Sequence, residues 1–137
     1  MDNSKKCNDL TGKEWLRNSF SIWRDLSKTK EEKDYKHPAS YPVVLCEKLI
    51  RTFSRANSRV LDPFNGIGST TVAAKNLGCE AVGIDLSEDF CRIAESRVNG
   101  DANIQIINGD SFEALKTFPE NHFDICVTSP PYWDILN

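Results

Sequence analysis

From residue 58 onward, short apolar segments alternate with amphipathic ones, and this alternation restricts the fold more than any other feature of the sequence. SRVLDPF, EAVGID, NIQIIN and FDICVT have the composition of β-strands. The intervening STTVAAKNLG, LSEDFCRIAESRV and DSFEALKTF are typical of helices. Strands that alternate with helices form parallel sheets through right-handed crossovers. The sequence therefore predicts an α/β fold, a Rossmann-like doubly wound sheet, represented by its first four strands in the order 3-2-1-4.

Local signals give these helices their ends and their buried faces. Ser69 opens the first and Gly78 stops it, Ser87 caps the second, and Asp110 with Glu113 fits a capping box at the third. Four apolar residues predict the buried face of the second helix: Phe90, Ile93, Ala94 and Val98. Upstream, VVLCEKLIRTFS predicts another helix that lies on the sheet through Leu45, Leu49 and Phe53.

The N-terminal region carries no strand pattern. KEWLRNSFSIWRDL predicts a packed amphipathic helix because five apolar residues share one face: Trp15, Leu16, Phe20, Trp23 and Leu26. The charged SKTKEEKDYKH that follows predicts an exposed connection. We therefore divide the chain into an N-terminal helical and charged segment, 1–35, and a partial catalytic domain, 36–137.

Composition excludes several classes of protein. The 137 residues suffice for one domain, and no apolar run approaches the roughly 20 residues that span a bilayer. The N-terminus lacks a secretory signal, so a cytoplasmic location is expected. The five cysteines show no paired spacing, which favours reduced thiols, mostly in the core, and no metal site. Residues 1–60 carry 13 basic and 8 acidic side chains against 4 and 12 in residues 61–137, a pattern of a solvated face or a surface for a polyanion.

The stretch LDPFNGIGSTT places a glycine-containing turn between a strand and a helix. Gly66 and Gly68 allow a ligand to approach the main chain. A dinucleotide fold would need a third glycine, where this chain has Thr71, and the Asp62 carboxylate would repel a pyrophosphate. The same carboxylate would attract a cation. S-adenosylmethionine, which joins an adenosine to an amino-acid ammonium, fits such a site.

Two further acids follow in order. Asp85 ends the second strand, where a carboxylate can accept hydrogen bonds from both hydroxyls of a ribose. Asp110 follows the third strand and has two equally supported roles, a hydrogen bond to the adenine amino group or the cap of its helix.

The tetrapeptide Ser129-Pro130-Pro131-Tyr132 follows the fourth strand. Its two prolines stiffen the loop and remove backbone donors. The Ser129 hydroxyl and the Pro130 carbonyl could then accept both hydrogens of an exocyclic amino group, while Tyr132 stacks on a flipped base. In a sheet ordered 3-2-1-4, this loop lies near Gly66.

Together, LDPFNGIGSTT and TSPPYW resemble the amino-methylating DNA methyltransferases, which modify cytosine N4 or adenine N6 with S-adenosylmethionine in DNA methylation and restriction-modification. KHPASYP, GIDLSEDF and NGDSFEAL resemble three more of the family's motifs, so the resemblance covers residues 36–133. It implies a catalytic loop at Ser129 to Tyr132 and a cofactor pocket with these members: His37, Pro38, Asp62, Pro63, Phe64, Gly66, Gly68, Asp85, Leu86, Asp110 and Ser111. Serine at the first loop position favours cytosine N4.

Members of this family also have later strands and a target-recognition region, for which this sequence has no segment. We expect a split enzyme, in which a second polypeptide completes the sheet and DNA reading. A homodimer is the alternative assembly. The alternatives are a truncated, non-catalytic module that binds S-adenosylmethionine, and an amino methyltransferase that acts on RNA or protein.

Overall fold

The structure is a computed structural model that describes residues 6–35 and 40–131. Among these residues, no helix is both long and apolar enough to cross a lipid bilayer. Ten helices and strands follow one another in the described parts of the chain: α1 Gly12–Asn18, α2 Lys30–Asp34, α3 Val43–Phe53, β1 Arg59–Asp62, α4 Ser69–Asn76, β2 Glu80–Asp85, α5 Glu88–Val98, β3 Ile104–Asn108, α6 Ser111–Leu115 and β4 Ile125–Cys126.

The four strands form one sheet in the order β3-β2-β1-β4, and every pair is parallel. Val60 pairs with Ala81 of β2 on one side and with Ile125 of β4 on the other. Parallel strands bring their carboxyl ends to one edge, so β1 and β4 end side by side. The predicted fold class and strand order are confirmed.

The two central strands, β1 and β2, have buried side chains on both faces of the sheet, since consecutive side chains point to opposite sides and both faces are covered. One face of the sheet packs on α3 and α4 through eight buried residues: Cys46, Ile50, Val60, Ala73, Ala74, Cys79, Ala81 and Val127. The other face packs on α6 and the segment after it through Leu61, Val82 and Ile84. Burial of an aliphatic side chain such as Ile50 or Ile84 contributes about 1.5–3 kcal/mol.

The helices predicted from residue 43 onward all form, but two buried faces differ from prediction. In α3 the buried residues are Cys46, Ile50 and Thr52, while Phe53 is 56% exposed, so the expected face is wrong by about one residue. Cys46 and Ile50 are four apart and share the stripe that faces the sheet. In α5 the buried residues are Cys91, Ala94 and Val98, and the expected Phe90 and Ile93 are half-buried.

The expected packed helix in residues 13–26 is wrong. A capping box between Thr11 and Glu14 starts α1, which ends after seven residues at Ser19 and buries none of its side chains. Ser19 satisfies the Leu16 carbonyl with its hydroxyl, a local bond that competes with continuation of the helix. Phe20 consequently lies 63% exposed beyond the helix.

The charged segment after residue 26 is also more ordered than expected. Thr29 caps the short helix α2, and the carboxylate of Glu32 accepts a hydrogen bond from the Thr29 amide. The other Glu32 oxygen accepts from the Val43 amide at 2.6 Å, at the start of α3. Glu32 is buried, and its carboxylate satisfies the Val43 amide, a donor that the first turn of α3 would otherwise leave without a partner.

Candidate active site at the carboxyl edge of the sheet

The glycine loop, residues 62–68, connects β1 to α4 at the carboxyl edge. Gly66 and Gly68 have φ angles of 51° and 86°, the left-handed region that glycine adopts without a steric penalty. The Asn65 amide donates to the Ile84 carbonyl of β2 at 2.9 Å, and its side chain lies against Gly83. The loop is therefore fixed to the neighbouring strand before any ligand binds.

Asp85 lies at the end of β2, as predicted, and holds the glycine loop. One carboxylate oxygen accepts from the Gly66 amide at 2.8 Å, and the other accepts from the Ser87 amide at 2.9 Å. Each oxygen keeps a second lone pair, so the half-buried carboxylate can still accept from a ligand.

Asp62 is the most buried acid of the site, with 1% of its surface exposed. Its two oxygens accept from the Phe64 amide and the Tyr41 hydroxyl, both at 3.1 Å. No ion pair between described residues includes Asp62. Burial raises its pKa, although hydrogen bonds from Thr70 and Thr128 act in the opposite direction. The site therefore presents a buried carboxyl group that lacks a cationic partner among the described residues.

The remaining predicted pocket residues lie at the ends of β1, β2 and β3. Asp110 caps α6 by accepting from the Glu113 amide at 3.0 Å, and the Ser111 hydroxyl donates to the Pro63 carbonyl. Phe64 and Leu86 expose 44% and 73% of their surfaces. The cap role of Asp110 is thus present, and contact with an adenine stays a prediction.

The residues after β4 approach the glycine loop through shared hydrogen bonds. The Val127 amide donates to the Leu61 carbonyl at 3.0 Å, and the Thr70 hydroxyl donates to the Val127 carbonyl at 3.3 Å. Ser129 is half-buried, and Pro130 and Pro131 are exposed. Four residues discussed in the sequence analysis lie outside the described residues: His37, Pro38, Tyr132 and Trp133.

Cys126 is exposed, in contrast to the general expectation that the cysteines lie mostly in the core. It lies in a two-residue strand at the edge of the described sheet, where one side has no paired strand. In contrast, Cys46, Cys79 and Cys91 are buried as expected. Among the described residues, no group of three or more potential ligands could hold a metal ion.

Two residues that sequence reasoning missed are Tyr41 and Phe112. The Tyr41 hydroxyl contacts Asp62 and Thr70, and its position inside KHPASYP was the available signal. Phe112 follows Asp110 and Ser111, and its side chain is 70% exposed at the carboxyl edge. Phe112 lies in the first turn of α6, and the sequence alone does not distinguish an exposed phenylalanine there from a buried one.

Comparisons with known proteins agree with this geometry. A family model described as DNA methylase matches residues 1–96, and one described as methyltransferase domain matches residues 60–134. Type II methyltransferase M2.LlaDCHI of Lactococcus lactis subsp. cremoris is 38% identical over 79 residues, which cover 57% of this chain and 29% of that protein. A tRNA (guanine(10)-N2)-dimethyltransferase of Pyrococcus abyssi is 31% identical over 107 residues, or 74% of this chain and 32% of that protein.

Among solved structures, TTHA0409 of Thermus thermophilus, a candidate DNA modification methylase in complex with S-adenosyl-L-methionine, superimposes with a TM-score of 0.57. It is 29% identical, and the match covers 73% of this chain and 39% of that one. The chain spans about a third of the length of the curated relatives that it matches. Because the DNA methylase model matches residues 1–96 of 137, well over half of the sequence, this chain belongs to the DNA methylase family.

Proposed function

We propose that this chain binds S-adenosylmethionine at the carboxyl edge of its sheet and contributes the catalytic loop for methyl transfer to an exocyclic amino group of a DNA base. The observation that carries the proposal is the buried Asp62 carboxyl group beside the glycine loop, with no cationic partner among the described residues. A buried charge is costly unless a countercharge is present. The ammonium of the cofactor's methionine end is such a countercharge.

Different residues of the proposed pocket contact different parts of the cofactor. Asp62 faces the amino-acid end, and the lone pairs that remain on Asp85 accept hydrogen bonds from the ribose hydroxyls. Leu86 and Phe112 supply exposed apolar surface after β2 and β3, which suits the two faces of an adenine. Pro63, Ser111 and Asp110 complete this side, and His37 and Pro38 belong to it by family resemblance.

When bound, S-adenosylmethionine supplies an electrophilic methyl group on a sulfonium. The task of this chain is to orient the acceptor amino group so that its nitrogen lone pair faces that methyl group; the nitrogen then loses one of its two hydrogens as a proton. Ser129 and the Pro130 carbonyl accept the two amino hydrogens, and Pro131 stiffens the loop. Tyr132 stacks on the flipped base. No covalent enzyme intermediate is required, so no cysteine acts as a nucleophile.

Cytosine N4 is favoured over adenine N6 because serine occupies the first position of the loop, a preference that rests on the family resemblance. The substrate is DNA by the same resemblance and by the Type II relatives. RNA is the second candidate, since a tRNA methyltransferase matches 74% of this chain. Transfer of a labelled methyl group to DNA, RNA and protein in parallel separates these acceptors.

Binding titrations with two ligands test the cofactor site. Asp62→Asn is expected to weaken the binding of S-adenosylmethionine but not that of adenosine, which lacks the amino-acid end. Asp85→Ala is expected to weaken the binding of both ligands. Arg92→Ala is the matched control, since Arg92 pairs only with Glu88 and Asp89 on the exposed side of α5 among described ion pairs. Absence of S-adenosylmethionine binding by the unmodified chain, or equal losses for both ligands with Asp62→Asn, would contradict the assignment.

Sequence-specific methylation requires a target-recognition region and further strands beside β4. The split-enzyme hypothesis, in which a second polypeptide provides them, stays a prediction. The native mass of the protein isolated from its source cells tests it. A complex with a second chain supports the hypothesis, and a monomer or a simple homodimer contradicts it. A chain that binds the cofactor but transfers no methyl group in either state is the non-catalytic module instead.

A further inference from the structure

Tyr41 connects three parts of the candidate site. Its hydroxyl lies 3.1 Å from one oxygen of Asp62 and 2.8 Å from the hydroxyl of Thr70. Its carbonyl accepts from the Ser69 hydroxyl at 2.8 Å, at the first residue of α4. The ring packs against the core cluster formed by α3, α4 and β1. The residue thus joins the segment before α3 to the end of β1 and to the start of α4.

From these contacts we infer that Tyr41 is a positioning residue for the methyl-transfer site: its hydroxyl, with that of Thr70, orients the Asp62 carboxylate toward the cofactor and links it to the backbone that carries Ser129. The inference rests on the proposed function and assigns a role that the glycine loop and the catalytic loop do not include.

The hydrogens of the two hydroxyls have a defined order when Asp62 is ionised. A carboxylate only accepts, so Tyr41 donates its single hydrogen to Asp62. The single hydrogen of Thr70 is then directed to the Tyr41 oxygen or to Asp62, and in either case the Val127 carbonyl loses that donor. With a protonated Asp62 the order reverses, and Thr70 can donate to Val127. The charge on Asp62 is therefore coupled to a carbonyl two residues before Ser129.

Burial raises the pKa of Tyr41, so its phenol stays a donor throughout the neutral range. The groups that act on Asp62 come from every element around it: Tyr41 before α3, Thr70 in α4, the Phe64 amide in the glycine loop and Thr128 after β4. Burial also raises the pKa of the neighbouring thiol Cys46 to about 12, and the thiol of Cys126 in β4 likewise has a raised pKa, so neither supplies a competing anion. Tyr41 is then one of few donors that favour the ionised form of Asp62.

The test is a single-atom deletion, Tyr41→Phe, measured as affinity for S-adenosylmethionine between pH 5 and pH 7. Loss of a hydrogen bond to a charged group is expected to weaken binding roughly tenfold at neutral pH. The substitution is also expected to shift the midpoint of the affinity–pH profile to a higher pH. The cation binds the ionised carboxylate, and loss of the Tyr41 donor makes ionisation of Asp62 less favourable. The ligand's ammonium stays charged over this range.

Tyr35→Phe is the matched control, since the Tyr35 hydroxyl bonds to the exposed side chain of Glu31 and has no described hydrogen bond to Asp62 or Thr70. In the double variant Tyr41→Phe with Asp62→Asn, affinity is expected to equal that of Asp62→Asn alone, because Tyr41 acts through Asp62. A purely structural effect of Tyr41 would instead add to the loss and leave the pH profile unmoved.

A second pair keeps the inference testable if Tyr41→Phe fails to fold. Thr70→Val removes the partner hydroxyl and Thr70→Ser keeps it, so only the former is expected to lower affinity. Equal affinity of Tyr41→Phe and Tyr35→Phe, or of the two Thr70 variants, overturns the inference. Failure of the unmodified chain to bind S-adenosylmethionine overturns the proposed function itself, so the two failures are distinguishable.

Discussion

Gly68→Ala is the substitution whose cost follows most directly from the structure. Gly68 has a φ of 86° at the start of α4, and a Cβ built there would lie 2.9 Å from the Cβ of Ala94 and 2.9 Å from the hydroxyl of Thr71. Neither neighbour can retreat easily. Ala94 is completely buried in α5, and the Thr71 hydroxyl is bonded to the Gly68 carbonyl at 3.1 Å. Gly78 provides the control, because its φ is 68° but nothing lies within 4 Å of the added atom.

The two substitutions share one cost and differ in another. A left-handed backbone costs a residue other than glycine about 1–2 kcal/mol at either position. The steric overlap at Gly68 adds about 1–3 kcal/mol, by analogy with other overpacked cores. An unfolding entropy of about 2.1 cal/mol/K per residue over 137 residues gives about 0.29 kcal/mol/K. Gly78→Ala is therefore expected to lower the Tm by about 3–7 °C, and Gly68→Ala by about 7–17 °C.

Thermal unfolding followed by circular dichroism at 222 nm, for the ligand-free chain in one buffer, provides the comparison. The informative quantity is the difference between the two variants, since the shared backbone cost cancels. Equal decreases in Tm would refute the reasoning, because they would mean that α4 and α5 do not approach as closely at Gly68 as the structure has them.

Three further outcomes are expected. Ser129→Ala lowers methyl transfer roughly ten- to a hundredfold while S-adenosylmethionine affinity stays unchanged, which parallel transfer and binding assays check; an equal loss of affinity would contradict its place in the catalytic loop. Arg97→Ala removes a 2.7 Å bond to the Ile67 carbonyl and speeds amide exchange in the glycine loop, whereas Arg92→Ala leaves it unchanged. Burial raises the pKa of Glu32, but hydrogen bonds from two backbone amides outweigh burial and hold that pKa below its ordinary 4.5. Glu32→Ala is therefore expected to lower the free energy of unfolding, measured with denaturant at pH 7, by about 1–3 kcal/mol. The difference in this free energy between the variant and the unmodified chain narrows as the pH falls through the lowered pKa.

The sheet was predictable because its signals are local. Asp62 and Asp85 each end a short apolar run, and the intervening glycine turn and helix allow only a parallel pairing. The N-terminal error has the opposite origin. The spacing of Trp15 and Phe20 predicts that they share one helical face, but periodicity does not reveal whether another element packs against that face.

The site was predictable where a residue type has few roles and unpredictable where contact is long-range. Gly66 and Asp85 follow from a turn and a strand end, and both occupy the expected places. Tyr41 reaches Asp62 across 21 positions, and no spacing rule connects a tyrosine before one helix with an acid at the end of a strand. Such pairs arise from the packing of α3 on the sheet, which places Tyr41 beside Asp62.

In the proposed site, Asp62 links the stability of the fold to the binding of a cationic ligand. A carboxyl group whose folded pKa is raised stabilises the folded chain most at low pH, and that stabilisation is lost as the pH rises through the raised pKa. Ionisation of Asp62 in the ligand-free fold is therefore unfavourable, and a bound cation would relieve that cost. A ligand at a hundred times its Kd adds about 2.7 kcal/mol of stability. With the entropy used above for Gly68, that corresponds to a Tm increase of about 9 °C, so in the proposed site the carboxyl group that is costly to ionise without a ligand is the one that favours a cationic ligand.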